Sequence, residues 1–113
     1  MTDKLLKLVL KTLSDKLGED IVTIDMRKVN PFTDTFVIVT AKNVRHAATM
    51  ADELIAAAEK AGYPVRDYEG RQGSSWILVD LNGAVVHLFT EQARKEYQLE
   101  TLWGDQPMKK YKD

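Results

Sequence analysis

The sequence predicts one small α/β domain, a sheet of about five strands flanked by helices. Its 113 residues lie far below the ~250 at which a single hydrophobic core stops growing, so a second domain has no room. Two segments repeat apolar residues at helical spacing, and five short runs are rich in β-branched and aromatic residues. Neither an internal repeat nor a low-complexity linker interrupts them. With 44% hydrophobic and 29% charged residues, the chain carries enough apolar material to fold without disulfides or metals.

Leu6, Val9, Leu10, Leu13 and Leu17 mark a first helix over about residues 3–17, with Thr2 or Asp3 as cap and Gly18 in the place of a left-handed terminator. Residues 21–26 and 36–40 read as strands separated by the turn signal Asn30-Pro31, the second strand being the more central. Asn43 caps a second helix over about 44–61, whose apolar stripe holds Ala47, Met50, Ala51, Leu54, Ala58 and Ala61; Gly62 ends it. Residues 64–68 read as a short strand, followed by the polar, glycine-bearing loop 69–75. Residues 76–81 and 84–89 flank Asn82-Gly83, the pair suited to a type I′ turn, and so form a hairpin. Thr90 caps a short helix running to about Leu99, with Glu91 in its first turn. Residues 99–103 add an apolar segment. The domain therefore occupies 1–107, and 108–113 is expected to be a Lys-rich flexible tail.

Sixteen Lys and Arg stand against seventeen Asp and Glu, a net charge of −1 that gives little attraction to a phosphate backbone. The tail holds Lys109, Lys110 and Lys112 against Asp113 alone, so the body is mildly acidic and better matched to a basic partner. Direct RNA contact is at most peripheral, through that tail. Zero cysteines exclude disulfides, thiolate zinc sites and a Cys nucleophile. The apolar runs fall far short of the ~20 residues that span a bilayer, and Met1-Thr2-Asp3-Lys4 lacks a signal-peptide pattern. The expectation is a soluble, cytoplasmic protein.

A two-residue turn fixes the hairpin register, pairing Trp76 with Phe89, Leu78 with His87 and Asp80 with Val85. One face then carries Ile77, Val79, Leu81, Ala84, Val86 and Leu88, wholly aliphatic and fit to pack under helices. The other carries Trp76, Leu78, Asp80, Val85, His87 and Phe89. Ionisable groups among aromatics are either paired or partly open to solvent, because an uncompensated buried charge costs several kcal/mol. Two readings stand: Asp80 and His87 hydrogen-bond to each other beneath the terminal helix, or the face is a binding patch of the composition that dominates interface energetics. Residues 97–103 repeat the same mixture of aromatic, aliphatic and acidic groups.

The chemistry of an enzyme is poorly represented. Ser74 or Ser75, His87 and Asp80 supply the residue types of a hydrolase triad, without the G-x-S-x-G elbow. Gly70 and Gly73 are not followed by G-K-[ST], and a strand rather than a helix comes next. His46 and His87 lie on different elements with no metal-ligand spacing, so neither a metal nor a cofactor is expected.

Glu69-Gly70, Trp76-Ile77-Leu78-Val79-Asp80, Gly83, Val85-Val86-His87-Leu88-Phe89, Arg94, Tyr97, Leu99-Glu100 and Leu102-Trp103 together resemble the signature of the ribosomal silencing factor family, also called Iojap-like. Upstream, Asp20-Ile21, Asp25, Thr33-Asp34, Arg45-His46 and Ala51-Asp52 agree as well, so the resemblance covers about residues 5–105. Phe32 departs from it, standing where small polar residues are commoner, and residues 72–75 fill a variable loop. The resemblance implies a mixed sheet with a nucleotidyltransferase-like outline and no catalytic residues; the absence of a D-x-D pair after Gly73-Ser74 agrees. It implies binding to the large ribosomal subunit through its fourteenth protein, obstruction of small-subunit joining, and repression of translation when nutrients are short or growth has stopped. The contact residues it implies are Trp76, Asp80, Tyr97, Glu100 and Trp103, with His87 and Arg94 as further contacts or as supports of the patch. A degenerate nucleotidyltransferase binding nucleotide in the glycine loop is the rival reading, and a homodimer through the aromatic patch stays open.

Overall fold

Two parallel strands occupy the middle of the sheet: β2 (Thr35–Ala41) and β5 (Ala84–Thr90). Strands flanked on both faces need near-continuous apolar sequence, and Phe36-Val37-Ile38-Val39 and Ala84-Val85-Val86 supply it. The computed structural model describes residues 2–70 and 73–111. Around the central pair lie α1 (Thr2–Asp15), β1 (Glu19–Asp25), α2 (Val44–Lys60), β3 (Asp67–Glu69), β4 (Trp76–Asp80), α3 (Glu91–Tyr97), α4 (Leu99–Leu102) and β6 (Met108–Lys110). The sheet order is β3-β4-β5-β2-β1-β6, and every pairing except β2 with β5 is antiparallel. This is the expected mixed α/β sheet with six strands rather than five. Among the described residues no helix is long and apolar enough to cross a membrane.

Strand alternation sends side chains to two cores. On one face, Val37, Val39, Ile77, Val79, Val86 and Leu88 meet Leu5, Val9 and Leu13 of α1 and Met50, Ala51 and Leu54 of α2. On the other, Val22, Ile24, Met26, Ile38 and Phe89 form a smaller core closed by Ala93 of α3. Phe36, Trp76, Leu99, Trp103 and Met108 pack at its margin. The hairpin register is the one the sequence predicts, and the aliphatic face lies wholly in the first core.

Four local expectations are corrected. The left-handed residue after α1 is Leu17, with φ 66°, rather than Gly18. A side chain at Gly18 would stand 2.6 Å from Val39 Cγ2, so close approach of chain to sheet is what favours glycine there. The hairpin turn is not type I′: Asn82 alone takes a positive φ, 75°, and the Gly83 N–H donates to the Leu81 carbonyl at 3.0 Å, a γ-turn pattern. The Leu81 N–H still donates to the Ala84 carbonyl at 2.9 Å, so the connection keeps two residues, while the Asp80 carboxylate accepts the Asn82 N–H at 2.8 Å and Asp34 N–H donates to the Gly83 carbonyl at 3.3 Å. Residues 108–110 are not a flexible tail; they pair with β1 as a sixth strand, and Tyr111 N–H donates to the Ile21 carbonyl. Finally α3 stops at Tyr97, because Gln98 turns left-handed with φ 46° and opens α4. The proposed caps at Thr2 and Asp3, the loop residues Arg71 and Gln72, and the tail residues Lys112 and Asp113 lie outside the described residues or side chains.

Gly70 has φ 77°, and an added Cβ would run into the Trp76 carbonyl oxygen. Gly70→Ala is therefore expected to cost about 2 kcal/mol or more, the sum of left-handed strain and a backbone clash. Thermal denaturation should register a fall of roughly 10 °C; a fall under about 3 °C would show that the loop yields freely.

Candidate functional site

The site is assembled on the smaller core. In the β4–β5 ladder Trp76 faces Phe89 and Leu78 faces His87, so two aromatic rings and an imidazole share one surface. Thr90 accepts the Ala93 N–H at 3.3 Å and starts α3 at the end of β5. Ala93 is small enough to lie against the sheet, and Tyr97, one turn further on, overhangs Trp76 with ring centroids 4.6 Å apart. The left-handed Gln98 then reverses the chain so that α4 brings Leu99 and Trp103 back over the sheet.

The result is a continuous aromatic row. Tyr97 meets Trp76 at 4.6 Å, Trp76 meets His87 at 5.9 Å, His87 meets Phe36 at 4.7 Å, and Phe36 meets Trp103 edge-on at 6.4 Å. Phe89, 1% exposed, forms the floor beneath Trp76 at 5.0 Å. The upper side is open: Tyr97 is 48% and Leu102 66% exposed, while Trp76 and Trp103 are half-buried. Such rings offer large contact area at low conformational cost, and their mutual packing fixes their orientation before any partner arrives.

Arg94 braces the row from inside. Its Nε donates to Glu100 Oε1 at 2.9 Å, and its Nη1 donates to the Asp20 carbonyl at 2.6 Å and to Thr40 Oγ1 at 2.8 Å. The Asp20 carbonyl is available because the β1–β2 register slips between Glu19 and Val22, where Asp20 adopts φ 49°. One guanidinium thus ties α3 and α4 to β1 and β2. With a side chain only 12% exposed, Arg94 supports the surface. Glu100 is correspondingly a braced carboxylate, not a free one.

Asp80 is braced in the same way. Arg66 donates to Asp80 Oδ2 from Nε at 3.0 Å and Nη2 at 2.8 Å, and to Asn82 Oδ1 from Nη1 at 2.6 Å. Of the two readings of this face, the Asp80–His87 hydrogen bond is not formed. Instead the Trp76 indole N–H donates to His87 Nδ1 at 3.1 Å, which leaves the proton on Nε2, buried with no hydrogen-bond partner among the described residues. Burial holds the imidazole well below its ordinary range, at about 4.

That displacement predicts a pH dependence. The unfolded imidazole titrates near ~6.5, so between the two values the unfolded chain holds more protons than the folded one. The stabilisation from a neutral His87 is complete above the unfolded value and is lost as pH falls toward 4. Urea unfolding at pH 7 and 4.5 should differ by about 2 kcal/mol more for the native chain than for His87→Gln. Equal differences would place the acid sensitivity elsewhere.

The remaining candidate groups have other employment. His46 Nδ1 accepts the Lys42 N–H at 2.9 Å while Nε2 meets the Lys16 carbonyl at 2.8 Å, so both ring nitrogens lock α2 to neighbouring loops. Ser74 donates to the Trp76 carbonyl at 3.1 Å rather than toward His87. Among the described residues no three His, Asp or Glu side chains converge on a metal position. One member of the surface escaped the sequence reading, Phe36. Phe36 shares a face with Ile38 by simple alternation, but nothing local says that β2 lies beside β5.

A family model described as ribosomal silencing factor during starvation matches residues 1–113. A Haemophilus influenzae protein named ribosomal silencing factor RsfS is 40% identical over 100 residues, which is 88% of this chain and 98% of that one. The crystal structure of a Chromobacterium violaceum protein has the same fold, with a TM-score of 0.88 and 28% identity over 92% of this chain and 87% of the other. More distantly, a mouse protein named mitochondrial assembly of ribosomal large subunit protein 1 is 28% identical over 99 residues, covering 85% of this chain and 43% of its own.

Proposed function

The chain belongs to the ribosomal silencing factor family, a family of non-enzymatic regulators, and on that footing we propose that it docks on the large ribosomal subunit through that subunit's fourteenth protein. Docked there, on the face that meets the small subunit, it keeps the two subunits apart and represses translation when nutrients are short. It works in the cytoplasm, where subunits meet. The observation that carries this reading is the aromatic row, rigid from within and open on its upper side.

Trp76, Tyr97 and Trp103, with Leu102 beside them, supply the desolvated centre of the contact; aromatic anchors of this kind dominate binding energy. Glu91, Glu96 and Asp105 are exposed acidic residues on the same terminal segment, matched in charge to a basic ribosomal protein. Asp80 and Glu100 join them as arginine-held carboxylates whose charge is already partly answered, so they fix orientation more than they add strength. His87 and Arg94 act beneath the surface. The name of the mouse relative, which refers to the large subunit, agrees with the choice of subunit.

Occlusion follows from size. The domain measures 33 × 33 × 27 Å, thick enough to fill a gap between two docked surfaces. Its effect should obey mass action, with no turnover. Purified subunits mixed with increasing amounts of the protein should show it co-sedimenting with large subunits only, while the yield of joined ribosomes falls in proportion to occupancy. Co-sedimentation with small subunits, or full joining at saturating occupancy, would contradict the proposal.

A further inference from the structure

We propose that the groove between α1 and β6, on the sheet face opposite the aromatic row, is a second docking surface that takes an acidic amphipathic helix of another protein. The groove holds about 390 Å³ and is lined by Leu6, Leu10, Thr23, Lys109, Lys110 and Tyr111. Its apolar members, Leu6, Leu10 and Tyr111, pack on the core that α1 and α2 cover, while the aromatic row stands on the other core. Occupying one surface therefore leaves the other free.

The floor is aliphatic and its walls are cationic. Leu6 and Leu10 lie one helical turn apart, about 6 Å, the spacing that accepts leucines at i and i+4 of a helix laid alongside. Lys7 and Lys11 each follow one of these leucines and so stand about 100° further round α1, on the solvent side of the groove. On the opposite wall, Lys109 pairs with Thr23 across the β1–β6 ladder and shares its α1-facing side, while Lys110 borders the groove by its backbone and, opposite Val22, turns its side chain to the other sheet face. Lys7 and Lys109 have no carboxylate partner among the described residues. Lys11 has only an exposed pair with Asp15, at 3.3 Å, of the kind that holds charge weakly.

An apolar floor between unpaired lysines selects against both neutral and basic occupants. A nucleic acid would satisfy the charge, yet single-strand binders present successive aromatic platforms, and here Tyr111 is the one ring in the groove. A helix with leucines on one face and glutamates flanking them satisfies both features at once. The β6 strand, contributed by the segment beyond Pro107, is what turns the side of α1 into a groove at all.

The probe is a fluorescein-labelled, lactam-bridged helical peptide with leucines at i and i+4 flanked by glutamates. It is titrated against the full chain, beside a version with the leucines scrambled and a labelled RNA hairpin. The expected result is saturable micromolar binding with amide shifts confined to α1, β1 and β6. Binding should weaken at least about tenfold for Lys7→Glu/Lys109→Glu and for the scrambled peptide, with large-subunit binding by the variant unchanged. Both lysines are exposed, so the variant retains the fold. Absence of saturation up to about 1 mM overturns the proposal, as does equal affinity for the scrambled peptide or tighter binding of the RNA hairpin, either of which marks a general polycation surface.

Discussion

Tyr97→Ala is expected to weaken binding to the large ribosomal subunit at least about thirtyfold, equivalent to ~2 kcal/mol, while leaving the fold nearly unchanged. Tyr97 is the most exposed ring of the row, at 48%, and it touches the rest of the protein mainly through Trp76 and Phe89. Removing it therefore subtracts contact area from the partner more than from the core. Trp76→Ala is a harsher and less informative change, since the indole also covers Phe89 and supplies the hydrogen bond to His87. It should cost several kcal/mol of stability as well as affinity. Equilibrium binding of labelled protein to purified large subunits, with thermal denaturation alongside, separates the two effects. Native affinity in a folded Tyr97→Ala variant would remove the centre of the proposed contact.

Arg94→Met is expected to lower stability by about 2–3 kcal/mol and to weaken subunit binding, although Arg94 is itself nearly buried. Methionine replaces the length of the side chain but none of its donors. Thr40 Oγ1, the Asp20 carbonyl and the Glu100 carboxylate then lose a shared partner, and α4 loses the tie that holds Trp103 over Phe36. Arg94→Lys should recover part of the stability and less of the affinity, because an ammonium cannot reproduce the guanidinium fork. A second change, Glu100→Gln, made in the Arg94→Met background should recover some stability by removing the stranded charge. Additive losses in that pair would show that Arg94 and Glu100 act independently.

The contrast between what the sequence reveals and what it hides is physical. Asn43, Thr90 and the hairpin pairs are local: each cap or register depends on residues close in sequence, and each appears as expected. The aromatic face of the hairpin follows from the same register, which brings Trp76, His87 and Phe89 together. Hidden from local reading are the arrangements that join distant segments. Arg94 reaches Asp20 and Thr40, Arg66 reaches Asp80, and β6 reaches β1, and none of these has a spacing signature. The last of them misled most, because three lysines near a terminus look solvated whether or not their backbone finds a strand to pair with. Alternation alone gave Asp80 and His87 a common face, but the diagonal distance between them is filled by other bonds: Arg66 and Asn82 occupy the carboxylate, and Trp76 occupies the imidazole.

Hydroxyl-radical footprinting of the protein, free and on the large subunit, tests the central claim most directly. Side-chain oxidation read by mass spectrometry should fall sharply at Tyr97, Leu102 and Trp103 on binding, with Phe32, 72% exposed and on a different loop, still reactive. Unchanged oxidation at Tyr97, Leu102 and Trp103 in the bound protein, with protection elsewhere, would contradict the assignment of the aromatic row as the surface that meets the ribosome.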